Sequence, residues 1–347
     1  MQSEFAWIES IAPDMLAVAT KRYQILQYVN WMEPVGRRSL ADQMHTSERT
    51  LRTEIDFLRR QGLLESSRSG VVMTRHGREV FASMDDFMNQ LLGIRTDEKM
   101  LASKLGIEHC LIVSGDADQS SRVLDDMGRT LARTMQLLLP LGKQTVAVMG
   151  GTTLARAAQQ MNYQLSTGRD LMFVPARGGV GETVDIQANS VAAAMAESTG
   201  GSYKVLYIPE NVSSETYAPL LKEPAVKEVL QLIDNASVVI HSVGEALVMA
   251  RRRNMDAEIQ NMLQKQQAVA EAFGTFFDAS GKIVYKIPKI GLTIRNLDEI
   301  PFVFAIAGGR SKASAIQAYM QHAPKNTWLI TDAGAANTIL TGVNPLK

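Results

Sequence analysis

Two hydrophobic rhythms divide the chain. Up to about residue 95 the apolar positions return every three or four residues: Leu16, Tyr23, Leu26 and Val29 repeat before Pro34 and Gly36 interrupt, and Leu51, Ile55 and Leu58 take up the same period. That spacing predicts amphipathic helices. Farther on, short continuous apolar runs take over at 109–113, 145–149, 171–174, 204–208, 237–240, 303–307 and 327–330, with helical segments between them. Unbroken hydrophobicity marks strands covered on both faces, hence a mainly parallel sheet between helices. The expectation is an α/β protein of two domains, 1–95 and 96–347.

The first domain carries a recognisable succession of elements. Residues 39–44 read as a short helix, His45 and Thr46 as a tight connection, and Ser47 as the cap of a longer helix that Gly62 ends. Residues 63–74 read as two short strands around a Ser/Gly turn. Short helix, turn, amphipathic helix and hairpin together predict a winged helix-turn-helix. Between Arg37 and Arg78 nine arginines and no lysine stand against five acids (Asp42, Glu48, Glu54, Asp56, Glu65), a local excess of four positive charges. On double-stranded DNA, Ser47, Arg49, Thr50 and Arg52 would reach base edges or phosphates in the major groove. Arg68 and Arg75 would hold the backbone across the wing. The competing reading is a helical interaction module whose arginines are merely solvated. A further helix over 76–92, with Val80, Phe81, Met84, Phe87, Met88 and Leu91 at helical spacing, is too apolar for an exposed linker and would suit a dimer contact.

Composition narrows the classes. The 347 residues are 46% hydrophobic and 21% charged, with 36 basic residues balancing 36 acidic ones, so the chain does not coat nucleic acid nonspecifically. Its one cysteine, Cys110, excludes an internal disulfide and a cysteine-rich zinc site, and its apolar run points to an inert buried thiol. The five histidines (His45, His76, His109, His241, His322) lack ligand spacing, which disfavours a metal site and histidine catalysis. No secretory signal and no membrane-length apolar window is visible, so a cytoplasmic location is expected.

Candidate chemistry gathers in loops that follow strands, where open α/β sheets bind ligands. Met149-Gly150-Gly151-Thr152-Thr153 follows the second run, and Pro175-Ala176-Arg177-Gly178-Gly179-Val180-Gly181-Glu182 the third, with Asp185, Gln187 and Asn189 entering the next helix. Gly308-Gly309-Arg310-Ser311-Lys312 follows the sixth, with Lys312 in the first turn of a helix. Each pairs glycines, which let an anion approach backbone N–H groups, with a hydroxyl or a cation suited to phosphate oxygens. Three such loops imply a ligand with more than one anionic end. The nucleotide-triphosphate loop and the dinucleotide spacing are both absent, which leaves small phosphorylated metabolites. Glu271, in apolar company before Gly274, is the candidate acceptor for sugar hydroxyls, a solvated helix end being the alternative. The run Arg251-Arg252-Arg253 reads as the solvated basic end of a helix.

These motifs, with Glu271-Ala272-Phe273-Gly274 and Gln187-Ala188-Asn189, resemble those of the SorC family of sugar-responsive transcription factors over nearly the whole chain. The resemblance implies a winged DNA-binding domain joined to an effector domain similar to sugar-phosphate isomerases and deaminases, assembling as homodimers and homotetramers on operator DNA. It implies a repressor of glycolytic genes relieved by fructose-1,6-bisphosphate or a related sugar phosphate, with no cofactor and no catalysis. By motif, Gly151, Thr152 and Thr153 would bind one phosphate, Arg177, Gly179 and Gln187 would line the pocket, and Glu271 would meet sugar hydroxyls. Lys312 and the Gly309 loop would take the other phosphate. Arg310 stands where the family pattern has a small polar residue, and its charge either strengthens phosphate binding or points to solvent. The rival reading is a sugar-phosphate isomerase or deaminase with an accessory N-terminal module, using Glu271 or Asp185 as base and Lys312 as electrostatic aid.

Overall fold

The structure, a computed structural model, describes residues 13–342 apart from 45, 68, 92–93, 180–182, 210–213 and 288–289. It divides into two compact units, Met1–Thr96 and Asp97–Lys347.

The first unit opens with α1 (Pro13–Met32), α2 (Arg37–Gln43) and α3 (Glu48–Arg60), continues through a hairpin of β1 (Leu64–Ser67) and β2 (Gly70–Met73), and ends with α4 (Arg75–Leu91). The helical period seen in the sequence is the packing: Ile25, Leu26, Val29, Leu40, Leu51, Ile55, Leu58 and Val71 form one core. Ser47 caps α3, its Oγ accepting the Thr50 N–H at 3.1 Å. In the hairpin Ser67 faces Gly70. Val35 and Val71 exchange backbone hydrogen bonds of 3.1 and 2.8 Å, adding a rung beside the wing. Gly70, at φ +145°, makes that rung possible, because a Cβ there would stand 2.6 Å from the Val35 carbonyl oxygen.

The second unit is built on a seven-stranded sheet. After α5 (Ile94–Leu105) come β3 (His109–Val113), α6 (Arg122–Leu138), β4 (Gly142–Val148), α7 (Thr152–Ala158), β5 (Arg169–Pro175), α8 (Ala188–Thr199), β6 (Ser202–Tyr203), α9 (Ser214–Leu220), α10 (Pro224–Asp234) and β7 (Val238–His241). The chain continues with β8 (Gly244–Glu245), α11 (Ala246–Arg252), α12 (Ala257–Lys265), β9 (Ala268–Ala272), β10 (Thr275–Asp278) and β11 (Ile283–Lys286), then β12 (Phe302–Ile306), α13 (Ala313–Met320), β13 (Thr327–Asp332) and α14 (Ala333–Thr341). The large sheet has the order β3-β13-β12-β7-β4-β5-β6, and every neighbouring pair is parallel. Its central strand, β7, is buried along its whole length, as its unbroken hydrophobicity requires. Alpha-helical faces such as Val123, Met127, Leu131 and Met135 of α6 complete the core.

Two features depart from the sequence reading. The run at 204–208 is not a strand; the edge strand is the two-residue β6 before it. Leu206 has its backbone N–H and carbonyl engaged by the Asn189 side chain, at 2.9 and 3.1 Å, and a side-chain clamp on these groups takes the place of a ladder. A second, antiparallel sheet of order β11-β10-β9-β8 carries its own small core of Ala246, Ala250, Leu263, Ala268 and Phe276. Among the described residues no helix is long and apolar enough to cross a membrane.

Candidate functional site

In the first unit the second helix of the helix-turn-helix presents its polar face to solvent. Arg49 is exposed, and Arg52 is 68% exposed with Asp56 one turn on at 3.9 Å. Ser47 and Thr50 are exposed too, but their hydroxyls bond each other at 2.8 Å, so each also serves the cap. Arg75 lies just past the hairpin, on the first residue of α4, and pairs with Glu79 at 3.1 Å; it flanks the wing rather than lying on it. Arg68 lies outside the described residues. Two other basic residues are half-buried: Arg22 stacks on Phe57 at 3.6 Å and, with Lys21, holds Glu54. A fixed stack and a Glu54 pair tie α1 to the helix that would enter the groove.

In the second unit the three glycine loops all leave the carboxyl ends of strands of the large sheet, after β4, β5 and β12. The first two are pressed together. Gly150 has no room for a side chain: a Cβ there would stand 3.0 Å from Arg177 Nη2 and 2.5 Å from the Ile186 carbonyl oxygen. Arg177 is 2% exposed, a cation folded under the turn that carries Thr152 and Thr153. Thr152 is exposed and Thr153 buried. The backbone donors expected of these loops are partly spent internally, since the Gly151 N–H bonds the Ile186 oxygen and the Gly179 N–H the Ile208 oxygen, both at 2.8 Å. The Gly151 and Gly179 N–H groups are thus held by the protein, while the Thr152 side chain stays at the surface. Gln187 precedes α8, its Oε1 3.9 Å from where a Gly179 Cβ would be.

The third loop is more fully occupied. Gly309 N–H donates to Asp332 Oδ2 at 2.7 Å, Arg310 N–H to Asp116 Oδ1 at 3.3 Å, and Ser311 N–H to Asp118 Oδ2 at 2.7 Å. Carboxylates of the protein itself thus hold the donors that the sequence reading left open for phosphate. Arg310 turns its side chain onto Asp116, with Nε 3.6 Å from Oδ2, and stays half exposed. Lys312 ends a 3-10 turn over Arg310–Lys312 that runs straight into α13. Burial lowers its pKa below the usual lysine range, with Glu245, Asp118 and Asp332 opposing and Arg252 adding to the effect.

Glu271 is neither solvated nor on a helix. It sits on β9 opposite Gly244, 5% exposed, and its Oε1 accepts both Arg253 Nη2 at 2.9 Å and the Gly274 N–H at 2.7 Å. This corrects the reading of the arginine run as wholly solvated: Arg253 is as buried as its partner, and Arg252 lies within electrostatic reach of Lys312. Sequence gave no signal for these roles, because the pairing depends on β8 folding back on β9. The third loop and Glu271 are linked through this strand pair, since Glu245 beside Lys312 neighbours Gly244 opposite Glu271. At the end of β7, against Phe273, His241 is fully buried; its Nε2 meets the Tyr319 hydroxyl at 3.1 Å and burial lowers its pKa to about 4. Burial also raises the pKa values of Cys110 and Tyr319. Among the described residues no group of three or more His, Cys, Asp and Glu side chains is arranged to hold a metal ion.

Comparison with known proteins matches both units. Residues 18–88 match the family of the CggR N-terminal DNA binding domain, and residues 90–341 match the Sugar-bind family of sugar-binding domains. The chain is 44% identical to the central glycolytic genes regulator of Bacillus subtilis over 96% of its own length and 97% of that protein. It is 41% identical to the protein of the same name from Priestia megaterium, over 96% of this chain and 97% of that one. A solved structure described as a SorC family transcriptional regulator from Enterococcus faecalis is 55% identical, with a TM-score of 0.68, covering 71% of this chain and 99% of that one. The full-length sorbitol operon regulator SorC from Klebsiella pneumoniae, 15% identical, shares the fold over 92% of this chain and 97% of its own, with a TM-score of 0.64. These matches define a transcriptional regulator that joins a DNA-binding domain to a sugar-binding domain. Within that class the chain belongs to the SorC family, in the group of central glycolytic genes regulators.

Proposed function

We propose that the protein is a cytoplasmic repressor of central glycolytic genes that leaves its operator when a sugar bisphosphate, fructose-1,6-bisphosphate, binds the second unit. The observation that carries this reading is the placement of two cationic loops on either side of the central strand. Arg177 and the Thr152-Thr153 pair follow β5 and β4, and Lys312 follows β12, with only β7 between β4 and β12. Neighbouring strands lie about 4.8 Å apart, so the Thr152 and Lys312 loops begin about 10 Å apart. That separation suits a six-carbon sugar with a phosphate at each end. The Glu271 carboxylate, held by Arg253, is the proposed acceptor for sugar hydroxyls.

The rest follows from linkage. A ligand shifts the DNA-bound arrangement only by binding another arrangement more tightly, so the effector must favour a subunit pairing that DNA does not. Homodimers and DNA-bound homotetramers are the assemblies proposed. Arg177→Ala and Lys312→Ala should each bind the promoter of the protein's own operon as the wild type does in a gel shift, but resist release by fructose-1,6-bisphosphate. Normal release of both variants would refute the pocket.

A further inference from the structure

The Gly309 loop combines bare glycine backbone, a hydroxyl, an adjacent lysine and a carboxylate seated where an anion would go. Gly309, at φ +100°, has Asp118 Oδ1 only 2.4 Å from where a Cβ would be, so the space above the glycine is filled by an oxygen of the protein's own. The same carboxylate accepts the Ser311 N–H at 2.7 Å and the Ser311 hydroxyl at 3.0 Å, and it lies within electrostatic reach of Lys312. Main-chain N–H, hydroxyl and ammonium around one oxygenated anion is the donor set a phosphate monoester would require.

We infer that Asp118 is an internal stand-in for the effector's phosphate, which must displace it to reach Ser311 and Lys312. This inference rests on the reading of the Lys312 loop as one end of the sugar-bisphosphate pocket. A dianionic phosphate beside an unmoved Asp118 would set like charges against each other on one donor set. Displacement needs only the side chain to turn. The backbone around it is anchored separately: the Ala117 N–H bonds Asp332 Oδ2 at 2.7 Å, the Asp118 N–H bonds Asp116 Oδ1 at 3.0 Å, and the Gln119 and Ser120 N–H groups bond the Asp116 carbonyl, each at 3.0 Å. Asp332 is buried and also caps α14, so it stays, whereas Asp118 is solvent-exposed and can leave. The bound-in carboxylate lowers apparent affinity by the fraction of molecules in which it sits on the loop, so Asp118 sets the effector concentration at which the repressor responds.

The test is calorimetric titration of the full-length protein with fructose-1,6-bisphosphate, comparing wild type, Asp118→Ala, Asp118→Asn and Lys312→Ala, with the melting temperature of each ligand-free protein recorded. Asp118→Ala should bind at least about fivefold more tightly, since charge-assisted hydrogen bonds to the competitor are removed. Asp118→Asn, which keeps an oxygen but no charge, should fall between it and the wild type. Lys312→Ala should bind more weakly. Unchanged or weaker binding by Asp118→Ala and Asp118→Asn, with Lys312→Ala still impaired, overturns the stand-in and leaves the pocket. Wild-type binding by Lys312→Ala overturns the pocket and the stand-in together.

Discussion

The two units hold their charges in opposite ways. On α3 of the DNA-binding unit, Arg52 is 68% exposed and its carboxylate partner, Asp56, is 3.9 Å away; on α4, Arg75 is 95% exposed beside Glu79. Surface pairs of this kind contribute about 0–1 kcal/mol, so exchanging a carboxylate for a DNA phosphate costs the fold little. In the sugar-binding unit, Arg177 is 2% exposed, and Arg253 and Glu271 are 5% exposed and locked together. Taking such charges out of water is costly unless their partners are fixed. On the proposed reading, the first unit trades surface partners with a long polyanion, and the second keeps a preset geometry for one small anion.

Three substitutions break or sharpen this contrast. The largest effect belongs to the buried pair: Arg253→Ala leaves the Glu271 carboxylate without its guanidinium and should lower unfolding stability by about 3–5 kcal/mol in a denaturant titration. A loss below about 1 kcal/mol would mean that this pair exchanges like a surface one. A middle effect is expected on DNA. Arg52→Ala should weaken operator binding by about 1–3 kcal/mol if it reads a base, while moving unfolding stability by no more than about 0.5 kcal/mol. Measured across salt concentrations, loss of a phosphate contact would instead reduce the salt slope by about one. Equal losses of stability and DNA affinity would place Arg52 in the fold rather than on the reading face.

The smallest effect near neutral pH is a pH dependence written by His241. Its imidazole stays neutral down to about pH 4 in the fold, against a usual value of 6.5 in the unfolded chain, because burial penalises the charged ring. Below pH 6.5 the unfolded chain binds the extra proton and the folded one does not. The contribution of this site is whole above pH 6.5 and declines between about 6.5 and 4, by at most about 1.4 kcal/mol per pH unit. His241→Gln should flatten that part of the stability profile; an unchanged slope would assign it to other groups.

Much of this was legible in the sequence, for identifiable reasons. Leu51, Ile55 and Leu58 lie on one helix, and the runs of β7 and β12 are buried on both faces, so local periodicity sufficed to place them. The glycine loops were found because each follows its strand directly. What escaped depends on contacts between distant segments. The donors of the third loop are taken by Asp116, Asp118 and Asp332, up to 194 residues away, and no local pattern couples them. Arg253 looked like part of a solvated run because its partner lies on another strand. The 204–208 run has strand composition, but the Asn189 side chain holds its backbone.

The central claim is that loops after β4 and β12 serve two ends of one molecule. Calorimetric titration of fructose-1,6-bisphosphate into wild type, a Thr152→Ala, Thr153→Ala double variant, and Lys312→Ala tests it directly. The account predicts one binding event per chain, weakened by either change. Two independent sites, with each variant abolishing one and sparing the other, or wild-type affinity in either variant, would contradict it.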